Sequence, residues 1–208
     1  MKRTRGLIFA ICGPAGVGKN SLGERLLAKF ENQLVKSVSV TTRIPRETEV
    51  NGRDYEFVSR AEFEKRKLDH RFFECEEVHG NLYGTPKEIF QVRLEAGLDL
   101  MTIIDIRGSL AIKKAFPKDT VVVFVVAPSM EDLATRMKAR SRVSEVELSK
   151  RIATASAELE VLKNDITHES LIDYMVVNQD FELCLKDLER IYLTECLRPS
   201  RCKIPTLK

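Results

Sequence analysis

The apolar run Leu7–Cys12, LIFAIC, passes directly into the glycine-rich stretch Gly13–Lys19, GPAGVGK, and then into a segment carrying Leu22, Leu26, Leu27 and Phe30. A short run that is apolar at every position reads as a strand buried on both faces, and apolar residues four apart read as a helix. Strand, loop and helix in immediate succession constrain the fold strongly. Glycines let consecutive backbone amides curl around an anion, and the start of the following helix adds positive potential. The spacing Gly-x-x-x-x-Gly-Lys is that of a nucleotide-phosphate loop. Gly13, Pro14, Ala15, Gly16, Val17 and Gly18 would form the cradle, and Lys19 would reach the β and γ phosphates. A plain glycine-rich turn ahead of a lysine is the alternative, and it explains the flanking strand and helix less well. One position departs from the pattern. Asn20 stands where a serine or threonine hydroxyl normally meets magnesium. Ser21 offers a hydroxyl one residue later; otherwise the ion would be held largely by phosphate oxygens and water, as this hard cation often is.

The alternation continues along the chain. SVSV at 37–40, LMTIID at 100–105, TVVVFVVA at 120–127 and YMVVN at 174–178 read as further strands. Ser59 with Glu62 predicts a capped helix start. Thr85, Pro86 and Glu88 predict a second, stopping at Gly97, and Ser129 with Asp132 a third. Ser144 with Glu147 opens a long helix whose Leu148, Ile152, Ala155, Leu159 and Leu162 share a face, and a last helix follows Asp180, with Leu185, Leu188 and Ile191 inward. Strands alternating with helices define an α/β fold with a mostly parallel sheet flanked by helices, whose ligands bind at the carboxyl ends of the strands. The 208 residues suit a single domain. Only the tail 199–208, with two prolines and several basic residues, is expected to be loosely held.

The formal net charge of +3, from 34 basic and 31 acidic residues, gives no large field toward nucleic acid or anionic membrane. Five cysteines, at 12, 75, 184, 196 and 202, form no Cys-x-x-Cys pair, and the odd count argues against a disulfide framework. The start MKRTRGLIFAIC imitates an export signal, but its apolar run is shorter than the roughly 7 to 15 residues required, and no run approaches the roughly 18 of a membrane span. The expectation is a cytoplasmic protein with no nucleic-acid, membrane or obligate protein partner.

A second constellation, SVSVTTRIPRETEVNGRDYEFV, gathers Ser39, Arg43, Arg46 and Tyr55 just after a strand. Two arginines three apart, stiffened by Pro45, suit a phosphate dianion. A bland basic loop would explain the arginines but not the nearby hydroxyls and tyrosine. In a third, Arg136 and Arg140 lie one helical turn apart and Arg151 follows on the next helix. Alone, such arginines are more often surface charge.

Taken together, the phosphate loop, SVSVTTRIPR, NGRDYEFV, FFECEEVHGNLYGT and IIDIRG resemble guanylate kinase over about Leu7 to Tyr192. The resemblance implies the phosphate-loop nucleoside monophosphate kinase fold, with a core at 7–37, 99–135 and 161–198, a GMP-binding segment at 38–98 and a lid at 136–160. It also implies magnesium-dependent transfer of the ATP γ-phosphoryl group to GMP. Arg43, Arg46, Tyr55 and Tyr83 would hold the GMP phosphate, Ser39 and Thr85 the guanine O6 edge, Glu74 the N1 and N2 protons, and Asp105 the N2 amino group. Lys19, Arg136 and Arg151 would act on the transferring phosphoryl, with Arg140 and Asn178 on the adenine side. Without the resemblance, Glu74 would read as a surface acid in the string ECEE and Asn178 as a turn residue. Two departures stand near the metal: Asn20, and Ile103 where the family carries the first of two aspartates. Arg107 replaces a usual glutamine. The rival reading is an impaired kinase-like module that holds a phosphorylated protein, although such modules characteristically lose the loop lysine and lid arginines retained here.

Overall fold

The computed structural model describes residues 5–78, 80–140, 144–168 and 170–202. Strand β1 (Ile8–Cys12) lies at the centre of a five-stranded parallel sheet, between β7 (Asp99–Ile103) and β8 (Thr120–Val126), with β2 (Leu34–Lys36) and β9 (Tyr174–Val177) at the edges. The continuous apolar runs follow from this position. Successive side chains point to opposite faces, and both faces are covered by helices. On one face Phe9 and Ile11 pack with Leu22 and Leu26 of helix α1 (Lys19–Lys29) and with Leu185 and Leu188 of α7 (Phe181–Cys196). On the other, Ile8 meets Phe90 and Leu94 of α3 (Glu88–Glu95), while Ala10 and Cys12 meet Ile106 of α4 (Ile106–Ala115). Burying each of these large side chains stabilises the fold by roughly 1.5–3 kcal/mol before entropy is counted. The chain runs from β1 to β2 on one side, then returns to β7 and crosses to β8 on the other. The carboxyl end of β1 is therefore the crevice of this sheet.

A four-stranded sheet stands beside it, ordered β4 (Glu56–Phe57), β3 (Val40–Thr41), β6 (Asn81–Pro86), β5 (Phe72–Val78). Helix α2 (Arg60–Leu68) covers it, with Phe63 stacked on Phe72 at 4.7 Å between centroids. Sequence patterning anticipates none of β2, β4, β5 and β6, because they are short or polar. The expected strand at 37–40 is mostly a crossing between the two sheets, with only Val40 in a strand.

Four predicted helix starts are present, the last at Asp180, whose carboxylate accepts from the Leu183 amide at 2.8 Å. Ser59 Oγ accepts from the Glu62 amide at 3.1 Å, Ser129 from Asp132 at 3.0 Å and Ser144 from Glu147 at 3.2 Å. These open α2, α5 (Met130–Arg140) and α6 (Glu145–His168). The expected cap at Thr85 is absent: Thr85 and Pro86 end β6, and α3 begins at Glu88 behind Lys87. Strand pairing wins there, because Gly84 sits opposite both Val40 and Cys75, and the Thr85 hydroxyl is used across the sheet instead. Gly97 ends that helix at φ 73° as predicted. Helix α6 runs through 24 residues, past the expected lid boundary at 160. It closes on Asp165, whose carboxylate accepts from the amides of Leu171 and Ile172.

The tail is better held than expected as far as Cys202. Pro199–Arg201 form a 3-10 turn, and the 3%-exposed Arg201 lies 3.5 Å from the buried Glu195 carboxylate. A charge this deeply buried needs a partner, and Glu195 supplies it. Residues 203–208, and 141–143 of the expected lid, lie outside the described residues.

Candidate active site

Between β1 and α1 the loop turns through positive φ at Gly13, Gly16 and Gly18. At Gly13 a side chain is impossible as well as strained, since a Cβ would lie 2.2 Å from the Val125 carbonyl. Lys19 Nζ bends back to donate to the carbonyls of Gly13 and Pro14, the latter at 2.9 Å. The loop is braced from behind by Asn178 at the end of β9, whose amide donates to the Val17 carbonyl at 2.7 Å. With Asn178 5% exposed, this bracing is its visible role, and little of it faces a nucleotide base. Ala15, Asn20 and Ser21 are exposed. A cavity of about 210 Å³ is lined by Asn20, Ser39, Tyr55 and Ile103, so the two departures near the expected metal line the same cavity.

The four-stranded sheet supplies the second part. Arg43 donates to Glu49 at 2.8 Å, its guanidinium carbon stands 5.5 Å from the Tyr55 ring, and Tyr55 meets Tyr83 edge-on at 5.9 Å. Glu49 and the Tyr83 hydroxyl hold the Arg43 guanidinium firmly protonated. The Arg46 amide donates to the other Glu49 oxygen at 2.8 Å, while its side chain is exposed. Arg43, Tyr55 and Tyr83 are thus brought together, with Arg46 beside them.

Nearer the parallel sheet, the buried Thr85 donates its hydroxyl to Glu74 at 3.0 Å. Asp105 caps α4, accepting from the Gly108 amide at 2.7 Å, and turns its other side to β5, where carboxylate oxygens of Glu74, Glu76 and Asp105 lie within 4.8 Å of one another. Burial pushes the Glu74 carboxyl up to about 8, and the like charge of Asp105 adds to the shift. Ser39, expected on the same base edge, instead lines the cavity with Asn20 and makes no hydrogen bond to Glu74 or Thr85.

Helix α5 passes over the loop, with Met137 and Leu133 against Gly16. Arg136 on this helix is half-buried. Arg151 on α6 is bonded to Glu147 at 3.0 Å, one turn back on its own helix. The side chain of Arg140 lies outside the described residues.

Three acids escaped the sequence reading. Glu49 organises both arginines, Glu76 joins Glu74 and Asp105, and Glu158 of α6 lines a cavity with Glu76 and Asp105. The two-residue spacing of Glu74 and Glu76 is the signal that recognition of β5 as a strand would have exposed.

This architecture, a parallel sheet with its phosphate loop after the central strand and a four-stranded insert beside it, is the phosphate-loop nucleoside monophosphate kinase fold. The chain belongs to the guanylate kinase family, whose family model matches residues 4–195. It is 40% identical over 199 residues to guanylate kinase of Maricaulis maris, covering 96% of this chain and 88% of that one. Against guanylate kinase of Bacillus subtilis the identity is 34% over 199 residues, covering 96% and 94%. The crystal structure of guanylate kinase from Anaplasma phagocytophilum superposes with a TM-score of 0.69 at 29% identity, covering 97% of this chain and 92% of that chain.

Proposed function

We propose that the protein transfers the γ-phosphoryl group of ATP to GMP, giving ADP and GDP, as a cytoplasmic enzyme. The observation that carries this reading is the Glu74–Thr85 pair beside Asp105. Guanine presents N–H donors at N1 and N2 and an acceptor at O6, whereas adenine presents a bare acceptor at N1. A site built from carboxylates rejects the base that lacks those donors. The Thr85 hydroxyl has one proton, now given to Glu74. When Glu74 accepts from N1 and N2 instead, that proton is released to O6, so one rearrangement satisfies all three edges.

Arg43, Arg46, Tyr55 and Tyr83 would hold the acceptor phosphate, with Glu49 keeping Arg43 and the Arg46 backbone in register. Ser39 would complete the acceptor side and Asp105 would take an N2 proton. On the donor side the loop amides from Gly13 to Asn20, Pro14 excepted, would cradle the phosphates, Lys19 would leave the Gly13 and Pro14 carbonyls for the β and γ oxygens, and Arg140 and Asn178 would serve the adenine side, Asn178 chiefly by bracing the loop. Arg136 and Arg151 spread positive charge over the transferring group, Arg151 exchanging Glu147 for phosphate. The divisions follow: a core at 7–37, 99–135 and 161–198, an acceptor segment at 38–98 and a lid at 136–160, closing over nucleotide to keep water out.

The donor set at the helix start, one exposed hydroxyl at Ser21 and one exposed amide at Asn20, with the apolar Ile103 lining the same cavity as Asn20, suits a magnesium ion that arrives with ATP and keeps much of its water. Bound there, magnesium would neutralise charge on the β and γ oxygens. Ser21 is its nearest protein hydroxyl in this reading.

The test is transfer of label from γ-labelled ATP to GMP, AMP, UMP or CMP in turn. Labelled GDP alone supports the reading. No labelled product with any acceptor, while GMP still binds, would point instead to a module that merely holds phosphorylated ligands.

A further inference from the structure

The string ECEE divides between the two faces of β5. Cys75 packs toward Phe63 and Phe72, and Glu77 lies 3.5 Å from Arg60, whereas Glu74 and Glu76 turn together toward Asp105. Glu76 stands opposite Tyr83 in register and lines, with Asp105, Arg107, Thr154 and Glu158, a cavity of about 310 Å³. The groups facing it are Glu74 from its own strand, Tyr83 and Thr85 from β6, Asp105 and Arg107 from α4, and Glu158 from α6, with Lys19 of α1 acting on Glu158. Among the described residues no lysine or arginine forms an ion pair with Glu74, Glu76 or Asp105. Three carboxylates this close cannot all be ionised without a counter-charge.

We propose that Glu76 is a specificity-determining residue of the acceptor pocket, a third carboxyl that shares protons with Glu74 and Asp105 until a base with two adjacent N–H donors displaces one. The inference rests on the reading of this pocket as the GMP site. Guanine N1–H and N2–H require ionised acceptors, so a proton held within the cluster leaves to solvent as guanine enters. A base without those donors has nothing to stabilise the ionised cluster. Burial and the charge of Asp105 push both the Glu74 and Glu76 carboxyls up, Glu74 to about 8, so a proton is held above the ordinary carboxylate range. Removing Glu76 takes away one like charge and lets Glu74 ionise at lower pH.

Calorimetric titration of the full chain with GMP, in two buffers of different ionisation enthalpy at pH 6.5 and pH 8.5, reads both affinity and protons released. The acceptor phosphate ionises alike for every variant and cancels in the comparison. Wild type should release more protons at pH 6.5 than Glu76→Gln or Glu76→Ala. The variants should gain affinity relative to wild type by about three- to tenfold on going from pH 8.5 to 6.5. A variant-to-wild-type affinity ratio independent of pH, or unchanged proton release, would overturn the proposal. So would loss of the GMP-linked release in millimolar magnesium without ATP, which would mark the cluster as a cation site. If GMP fails to bind folded wild type at either pH, the GMP reading itself falls.

Discussion

The Thr85 hydroxyl donates to the Glu74 carboxylate at 3.0 Å, a bond that crosses from β6 to β5 and leaves Glu74 facing Asp105. It places a residue that resembles a helix cap in the proposed base-reading pocket. Replacing Glu74 with glutamine keeps the shape but supplies an N–H donor where guanine also presents donors. The expected result is a loss of about 100- to 1,000-fold in kcat/KM for GMP, with the ATP KM within about twofold. Steady-state kinetics with each substrate varied in turn would show this, and an equal loss toward both substrates would count against the assignment.

The same carboxyl makes stability depend on pH. Burial raises Glu74 from 4.5 to about 8 in the folded protein, so the fold holds a proton that the unfolded chain releases earlier. Its favourable contribution is complete below about 4.5 and is lost as pH rises through about 8. Glu74→Gln does not titrate. Its melting temperature should therefore gain on wild type by at least about 2 °C between pH 5 and pH 8.5, measured by scanning calorimetry without nucleotide. No gain, or a loss relative to wild type over that range, would mean that the carboxyl is not raised.

Arg43 is fixed between Glu49 and the Tyr55 ring, a geometry that a guanidinium fits and an ammonium does not. Arg43→Lys should raise the GMP KM by about tenfold or more. Glu49→Gln, which keeps size but loses charge, should raise it less, with the ATP KM unchanged in both. An Arg43→Lys enzyme with normal GMP KM would remove Arg43 from the phosphate grip.

How much of this was legible depended on whether a residue's neighbours are local in sequence. The loop, α1 and the strands β1, β7 and β8 are written in continuous apolar runs and fixed glycine spacing, which need no long-range information. The second sheet is not, because β3 and β4 are two residues each and three of the seven residues of β5 are acidic, so only pairing, of β3 and β5 with β6 and of β4 with β3, makes them strands. Thr85 shows the conflict most clearly: its local pattern is a capping box, but a partner eleven residues away takes its hydroxyl. The arginines, tyrosines and Glu74 were reachable through resemblance to the family. Glu49, Glu76 and Glu158 were not, since an acid's role here is set by what folds against it.

Asn20 and Ile103 line one cavity, so the metal side can be tested at the loop. If Ser21 supplies a hydroxyl, Ser21→Ala should raise the magnesium concentration for half-maximal rate by about threefold or more, and Asn20→Ser in that background should restore it. If water and phosphate carry the ion, neither change should move it. Magnesium titrations at fixed ATP separate the two outcomes.

In the proposed reaction the acceptor is GMP and the loop lysine drives transfer to it. Coupled measurement of ADP release gives kcat/KM for GMP and for AMP, with Lys19→Ala as the blank. The predicted preference for GMP is about 1,000-fold or greater, abolished in Lys19→Ala. Comparable rates for the two acceptors, or a rate that survives in Lys19→Ala, would contradict the account.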